Sequence, residues 1–95
     1  MNNKDIIKLV HEFSGNLKLK ENTILRAIDL VNKSTKAFLT SSNKQEGVAA
    51  ASIYIAGILE DDRKTQKEIA EVADVPESTI RNLYLKIARG LELKK

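Results

Sequence analysis

The residues of this chain best suited to chemistry are hydrogen-bond donors and cations rather than a catalytic set. Ser78, Thr79, Arg81, Asn82 and Lys86 lie within nine residues near the C-terminus. At helical spacing they fall on faces left free by an apolar stripe of Ile80, Leu83, Tyr84, Ile87 and Leu91. Arginine can donate a bidentate pair to the O6 and N7 edge of guanine. Hydroxyl and amide side chains can meet other base edges or phosphates. Catalytic alternatives fare worse. His11, the single histidine, sits beside Glu12 with no nucleophile pattern in view and reads as a surface residue. Asp61 and Asp62 lack a third ligand and read as a loop end rather than a metal site. No Gly-rich phosphate loop or acid/base pair is present, so an enzyme is not expected, and no cofactor or metal.

Donors of this kind need a rigid element to present them. The segment Thr65 to Ala88, TQKEIAEVADVPESTIRNLYLKIA, predicts two short helices and a tight turn, a helix-turn-helix within 65–90. Thr65 with Glu68 forms a capping box that satisfies two free backbone donors. Ile69, Ala70, Val72 and Ala73 give the first helix an apolar face, with Ala70 where the helices cross most closely. Asp74 falls where the turn requires a left-handed residue, a conformation Asp visits readily. Val75 plugs the turn into the core, and Pro76 suits a helix start because its missing N–H would be unpaired there. Ser78 and Thr79 can also be read as hydroxyls capping that start.

Upstream, three more helices are expected. The first runs from about Lys4 to Phe13, capped by Asn3 and stopped by Ser14–Gly15. The second runs from about Lys20 to Phe38, with Ile24, Leu25, Ile28, Val31, Thr35 and Phe38 inward. A polar loop, residues 40–44, follows. The third, about Gln45 to Leu59, carries no charge between Gly47 and Leu59, and a helix apolar on every side belongs in the middle of a bundle. Glu60, Asp61 and Asp62 then form a solvated acidic loop. Tyr54 and Tyr84 are expected in the core with their hydroxyls at its edge. The expected fold is all-α, one domain over 1–95, with four helices round a buried third.

Composition agrees with a small globular domain. The chain is 42% hydrophobic and 31% charged, with no cysteine and hence no disulfide or Cys-based metal site. It has neither an apolar run long enough for a membrane span nor the pattern of a signal peptide, so an intracellular home is the default expectation. Residues 1–62 hold eight Lys/Arg and eight Asp/Glu, a net of zero. Residues 63–95 hold eight and five, so the whole net charge of +3 lies in the helix-turn-helix half, as phosphate contacts would favour. Lys94 and Lys95 supply two of those eight cations.

Three stretches, EGVAAASIYIA at 46–56, RKTQKEIAEVADV at 63–75 and TIRNLY at 79–84, closely resemble the second cyclin-like repeat of archaeal transcription initiation factor B and its eukaryotic counterpart, TFIIB. The likeness is strong over about residues 45–92 and holds in pattern for the first two helices. It implies the five-helix cyclin box. It also implies binding to promoter double-stranded DNA with TATA-binding protein, recruitment of RNA polymerase, and readout of the B recognition element upstream of TATA, which sets transcription direction. Carried over by motif, Ser78 and Arg81 would read bases, and Arg63, Lys64 and Thr65 would contact the DNA backbone. Thr79, Asn82 and Lys86 reach phosphates or neighbouring base edges by helical spacing. Lys67 and Lys86 can equally be solvated surface lysines.

Three departures from the family pattern stand out. Ser78 replaces a common Val, which leaves the preferred base open. Asp74 replaces the usual turn Gly. The zinc ribbon, reader linker and first repeat are missing, so the chain is expected to be a monomeric fragment of a longer factor, beginning at an added Met1. An archaeal cytoplasm (nucleoid-associated) or a eukaryotic nucleus would be its location. Two other readings stay open: a cyclin-like protein-interaction module, and a helix-turn-helix repressor.

Overall fold

The computed structural model describes residues 3–93. Met1, Lys94 and Lys95, with the expectations attached to them, lie outside the described residues. Five helices follow in order: α1 Lys4–Leu17, α2 Glu21–Lys36, α3 Gln45–Leu59, α4 Gln66–Ala73 and α5 Glu77–Gly90, with no strand among the described residues. The expected all-α, five-helix architecture is therefore the one observed.

The organising element is α3. Every residue from Gly47 to Gly57 is buried. With no charge to solvate, the helix can be covered on all sides, and α1, α2, α4 and α5 each pack on it. Its small residues set the distances of approach. A Cβ on Gly47 would lie 3.1 Å from Thr79 Cγ2, where the start of α5 crosses. A Cβ on Gly57 would lie 2.9 Å from the Asp62 carbonyl oxygen, so the chain leaving α3 folds back directly over it.

Helix α1 is longer than expected. Ser14 and Gly15 do not stop it; Ser14 is buried within the helix, and the end comes at Lys18, which is left-handed (φ 57°). Burial of Leu17 rewards the extra turn and outweighs the cost of about 1 kcal/mol for a helical glycine. Asn3 does not cap α1 with its side chain; its Nδ2 instead donates to Asn32 Oδ1 at 2.9 Å.

The inner face of α2 is turned relative to the expectation. Thr23, Ala27, Leu30, Val31 and Ser34 are buried. Leu25 is 56% exposed, and Phe38, beyond the helix end, is 82% exposed. Only Val31 of the expected stripe is fully buried; Ile24, Ile28 and Thr35 are half-buried. Helix α2 packs on both α3 and α1, and burial of the small residues at 27 and 34 sets its phase ahead of the larger apolar side chains.

All five helices end in the same way, and none uses glycine. Lys18, Phe38, Asp61, Asp74 and Glu92 have φ between 54° and 59°. The next residue in each case donates its N–H five residues back: Leu19 to Ser14, Leu39 to Ser34, Asp62 to Gly57, Val75 to Ala70 and Leu93 to Ala88. These are Schellman closures, which satisfy carbonyls left open at a helix end.

Candidate nucleic-acid interface

The candidate interface lies on α4 and α5. Eight residues are too few for a helix to persist alone, so α4 depends on its ends and its packing. The capping box is complete. Thr65 Oγ1 accepts the Glu68 N–H, and Glu68 Oε1 accepts the Thr65 N–H, both at 3.0 Å. The Thr65 N–H and hydroxyl hold the Glu68 carboxyl below its ordinary range. Ile69, Ala70 and Ala73 are buried, and Asp74 takes the left-handed turn position as expected. Val75 is half-buried against the core.

Pro76 is the N-cap of α5 rather than its first helical residue, and no side chain caps this helix. The capping role considered for Ser78 and Thr79 is therefore absent, because both lie inside the first turn. Ile80, Leu83 and Ile87 form the buried stripe; Tyr84 and Leu91 are half-buried at its border. Tyr84 meets Tyr54 edge-to-face, with ring centroids 4.9 Å apart.

The outward face carries Ser78, Arg81, Asn82 and Lys86, all exposed and all without a hydrogen bond or ion pair among the described residues. Glu77, one turn before Arg81, makes no ion pair with it. Thr79 departs from this group: it is half-buried, with its methyl toward Gly47. Arg89 joins it. It is exposed, continues the row one turn past Lys86, and was missed although the same spacing predicts it. At 1.5 Å per residue, Ser78 and Lys86 stand about 12 Å apart, close to the width of a major groove. Donors at the N-terminal end can thus lie at base edges while cations at the other end reach phosphates.

The segment entering α4 is more engaged than the outward face of α5. Arg63 is exposed, and Lys64 is half-buried. Gln66 and Arg63 at the Tyr54 hydroxyl lower its pKa against the upward push of burial. Lys64 lies in the field of the Asp62 and Glu68 carboxylates. Thr65 has both its N–H and its hydroxyl engaged with Glu68 in the capping box. Lys67 is exposed and unpaired among the described residues.

The acidic loop is not simply solvated. Asp62 Oδ2 accepts from the Lys20 N–H and from Thr23 Oγ1, both at 2.8 Å, and Glu60 pairs with Arg26 at 2.7 Å. Burial pushes the Asp62 carboxyl up, but those two donors, together with the fields of Lys20 and Lys64, hold the group below its ordinary value. A groove of about 860 Å³ runs beside the turn between α4 and α5. Glu12, Glu46 and Asp74 on its walls outnumber Lys44 and make it a poor place for phosphate. His11 is exposed, and no described helix is long and apolar enough to cross a membrane.

An all-helical fold packed round one central helix, ending in a helix-turn-helix with an open, cationic outer face, defines a cyclin-like helical repeat. Residues 2–90 match the family described as the transcription factor TFIIB repeat, and the chain belongs to that family. It is 44% identical over 91 residues to transcription initiation factor IIB of Sulfurisphaera tokodaii, covering 96% of this chain and 29% of that protein. The same factor from Methanopyrus kandleri is 48% identical over 83 residues (85% of this chain, 27% of the relative). That from Pyrococcus furiosus is 41% identical over 85 residues (90% and 28%). The chain thus spans under a third of the length of these relatives.

Proposed function

We propose that this chain is the second cyclin-like repeat of a general transcription initiation factor of the archaeal type. In this reading it binds promoter DNA with TATA-binding protein and reads the B recognition element upstream of TATA in the major groove. The full-length factor would recruit RNA polymerase, and the repeat would orient the assembly. The observation that carries this is the exposed, unpartnered pair Ser78 and Arg81 at the N-terminal end of the second helix of a helix-turn-helix. Asn82, Lys86 and Arg89 extend that face toward phosphates, and Arg63, Lys64, Thr65 and Lys67 supply a second backbone contact at the start of α4.

The repeat measures 29 Å along its longest axis, which spans about eight base pairs at about 3.4 Å each. A footprint this small offers few phosphate contacts, so the isolated repeat should bind weakly and with strong salt dependence. The test is a gel shift with TATA-binding protein and promoter DNA. Arg81→Ala should cost about 1–3 kcal/mol on an element with guanine at the contacted step, and much less where that guanine is replaced. If Arg81→Ala binds the guanine-containing element as well as the parent does, the readout assignment is wrong. One observation favours a second reading, a protein-interaction module: Phe38 projects into solvent from a left-handed backbone. Such a module would show no DNA binding at low salt.

A further inference from the structure

Four groups of interactions converge on residues 60–63, the segment that leads into α4. Arg26 Nε and Nη2 hold Glu60 Oε2 at 2.8 and 2.7 Å. The Asp62 N–H donates to the Gly57 carbonyl at 2.8 Å, closing α3. Asp62 Oδ2 takes the Lys20 N–H and the Thr23 hydroxyl, both at 2.8 Å. Arg63 and Gln66 stand at the hydroxyl of buried Tyr54, and the Arg63 Cα would lie 3.4 Å from a Cβ on Gly57. An interhelical loop is ordinarily among the more mobile parts of a domain. This one is fastened to the start of α2 and to the end of α3.

Asp62 has the central place in that arrangement. Lys20, the N-cap residue of α2, provides no side-chain cap of its own. The Asp62 carboxylate accepts the N-cap N–H, the part an acidic side chain three residues into a helix plays in a capping box, but from about 40 residues away in sequence. The positive end of the helix dipole favours the charge there. Thr23, which holds the same oxygen, is fully buried, so this bond has little freedom to drift.

We propose that Asp62 is a positioning residue for the DNA-backbone contact: by capping α2 from the α3–α4 loop, it fixes the path of Arg63, Lys64 and Thr65. The inference rests on the DNA-binding reading above. Consecutive Cα atoms are 3.8 Å apart, so anchoring residue 62 confines residues 63 and 64 to a small volume. Without the anchor, the cations would still be present but no longer held where a phosphate can meet them.

The sign of the charge effect makes this testable. Removing a carboxylate beside a phosphate-binding segment should, on electrostatics alone, strengthen binding and steepen its salt dependence. Loss of positioning does the opposite. The experiment measures affinity of the 95-residue chain for TATA-binding protein on promoter DNA across a salt series, for the parent, Asp62→Ala and Asp62→Asn. Asp62→Ala should bind more weakly and flatten the slope of log K against log salt by about one for each phosphate no longer neutralised, so by about one to two. Its ratio of affinities for guanine-containing and guanine-replaced elements should stay within about twofold of the parent, since Ser78 and Arg81 are untouched. Asp62→Asn keeps an oxygen that accepts both donors and should retain the parent slope or exceed it.

An Asp62→Ala slope equal to or steeper than the parent's overturns the positioning role, as does an Asn variant that behaves like Ala. If Asp62→Ala is unfolded by circular dichroism, Thr23→Val removes one of the two bonds with little change of shape, and it should flatten the slope partway. An unchanged slope in Thr23→Val overturns the inference equally. A parent chain that binds no DNA at low salt removes the DNA-binding reading together with this one. A parent that binds while the variants keep its slope removes this one alone.

Discussion

Helices α2 and α5 lie on the same buried helix, have similar lengths and are both amphipathic, yet their outer faces differ. Along the middle of its outer face the polar groups of α2 are paired within the fold, whereas Glu21, Asn22 and Lys36 at its ends have no partner among the described residues. Arg26 is paired with Glu60, Lys33 with Asp29 at 3.0 Å, and Asn32 with Asn3. The outer face of α5 carries Ser78, Arg81, Asn82, Lys86 and Arg89, and none has a partner among the described residues. Paired charges hold a scaffold to itself. Unpaired donors in a row keep their hydrogen-bonding capacity for another molecule. The difference is what the proposed DNA-binding role of α5 requires, and it is visible without reference to any relative.

The inner faces should not show that difference. Leu30 in α2 and Ile80 in α5 are both buried against the core. Truncating either to Ala should cost about 2–5 kcal/mol in denaturant unfolding, through reduced burial and the cavity left behind. This is the largest effect expected. If Ile80→Ala costs far less than Leu30→Ala, then α5 is held more loosely than α2, and its open outer face reflects mobility rather than readiness.

A smaller effect concerns how the two helices begin. The start of α2 depends on the Asp62 carboxylate, whereas α5 has no side-chain cap. The folded pKa of Asp62 is depressed, so its contribution is fully present above the unfolded value, about 4, and is lost as pH falls through the lower folded value. Thermal melts at pH 7 and pH 3 should therefore show a smaller acid-induced drop for Asp62→Asn than for the parent. Glu68, depressed by its bonds to Thr65, leaves a residual drop that Glu68→Gln should reduce. An identical drop in parent and Asp62→Asn would mean that the start of α2 does not depend on this charge.

What could be read from the residues divides along similar lines. The helix-turn-helix was legible because its signals are local: Thr65 and Glu68 three apart, an Asp at the left-handed position, a Pro at the helix start. The central helix was legible from the absence of charge between Gly47 and Leu59. The phase of α2 was not, because burial of Ala27 and Ser34 depends on the helices packed against α2, which no pattern within α2 reveals. Phe38 is outside because a helix end, once closed by Leu39, turns the preceding side chain to solvent. On the candidate site, periodicity placed Ser78, Arg81, Asn82 and Lys86 outward but put Thr79 with them, although Gly47 leaves room for its methyl. The role of Asp62 had no local signal at all, since its partners lie about 40 residues earlier.

The smallest expected effect bears most directly on the two outer faces. Arg26 is 45% exposed, and its pair with Glu60 is a surface ion pair of good geometry. Such pairs contribute about 0.2–1 kcal/mol. Arg26→Ala should lower stability by about that amount and leave DNA affinity unchanged at moderate salt. Arg81→Ala has no intramolecular bond to lose, so its stability should stay within about 0.5 kcal/mol of the parent while its DNA affinity falls. Chemical denaturation and the gel shift, run on both variants, give four numbers whose pattern is fixed in advance. If Arg81→Ala destabilises the chain as much as Arg26→Ala does, then Arg81 has a partner within the fold, and the contrast between a paired α2 and an open α5 fails. If Arg26→Ala weakens DNA binding as well, then Glu60 and the loop behind it carry strain from α2 to the start of α4. The scaffold face would then belong to the recognition apparatus rather than stand apart from it.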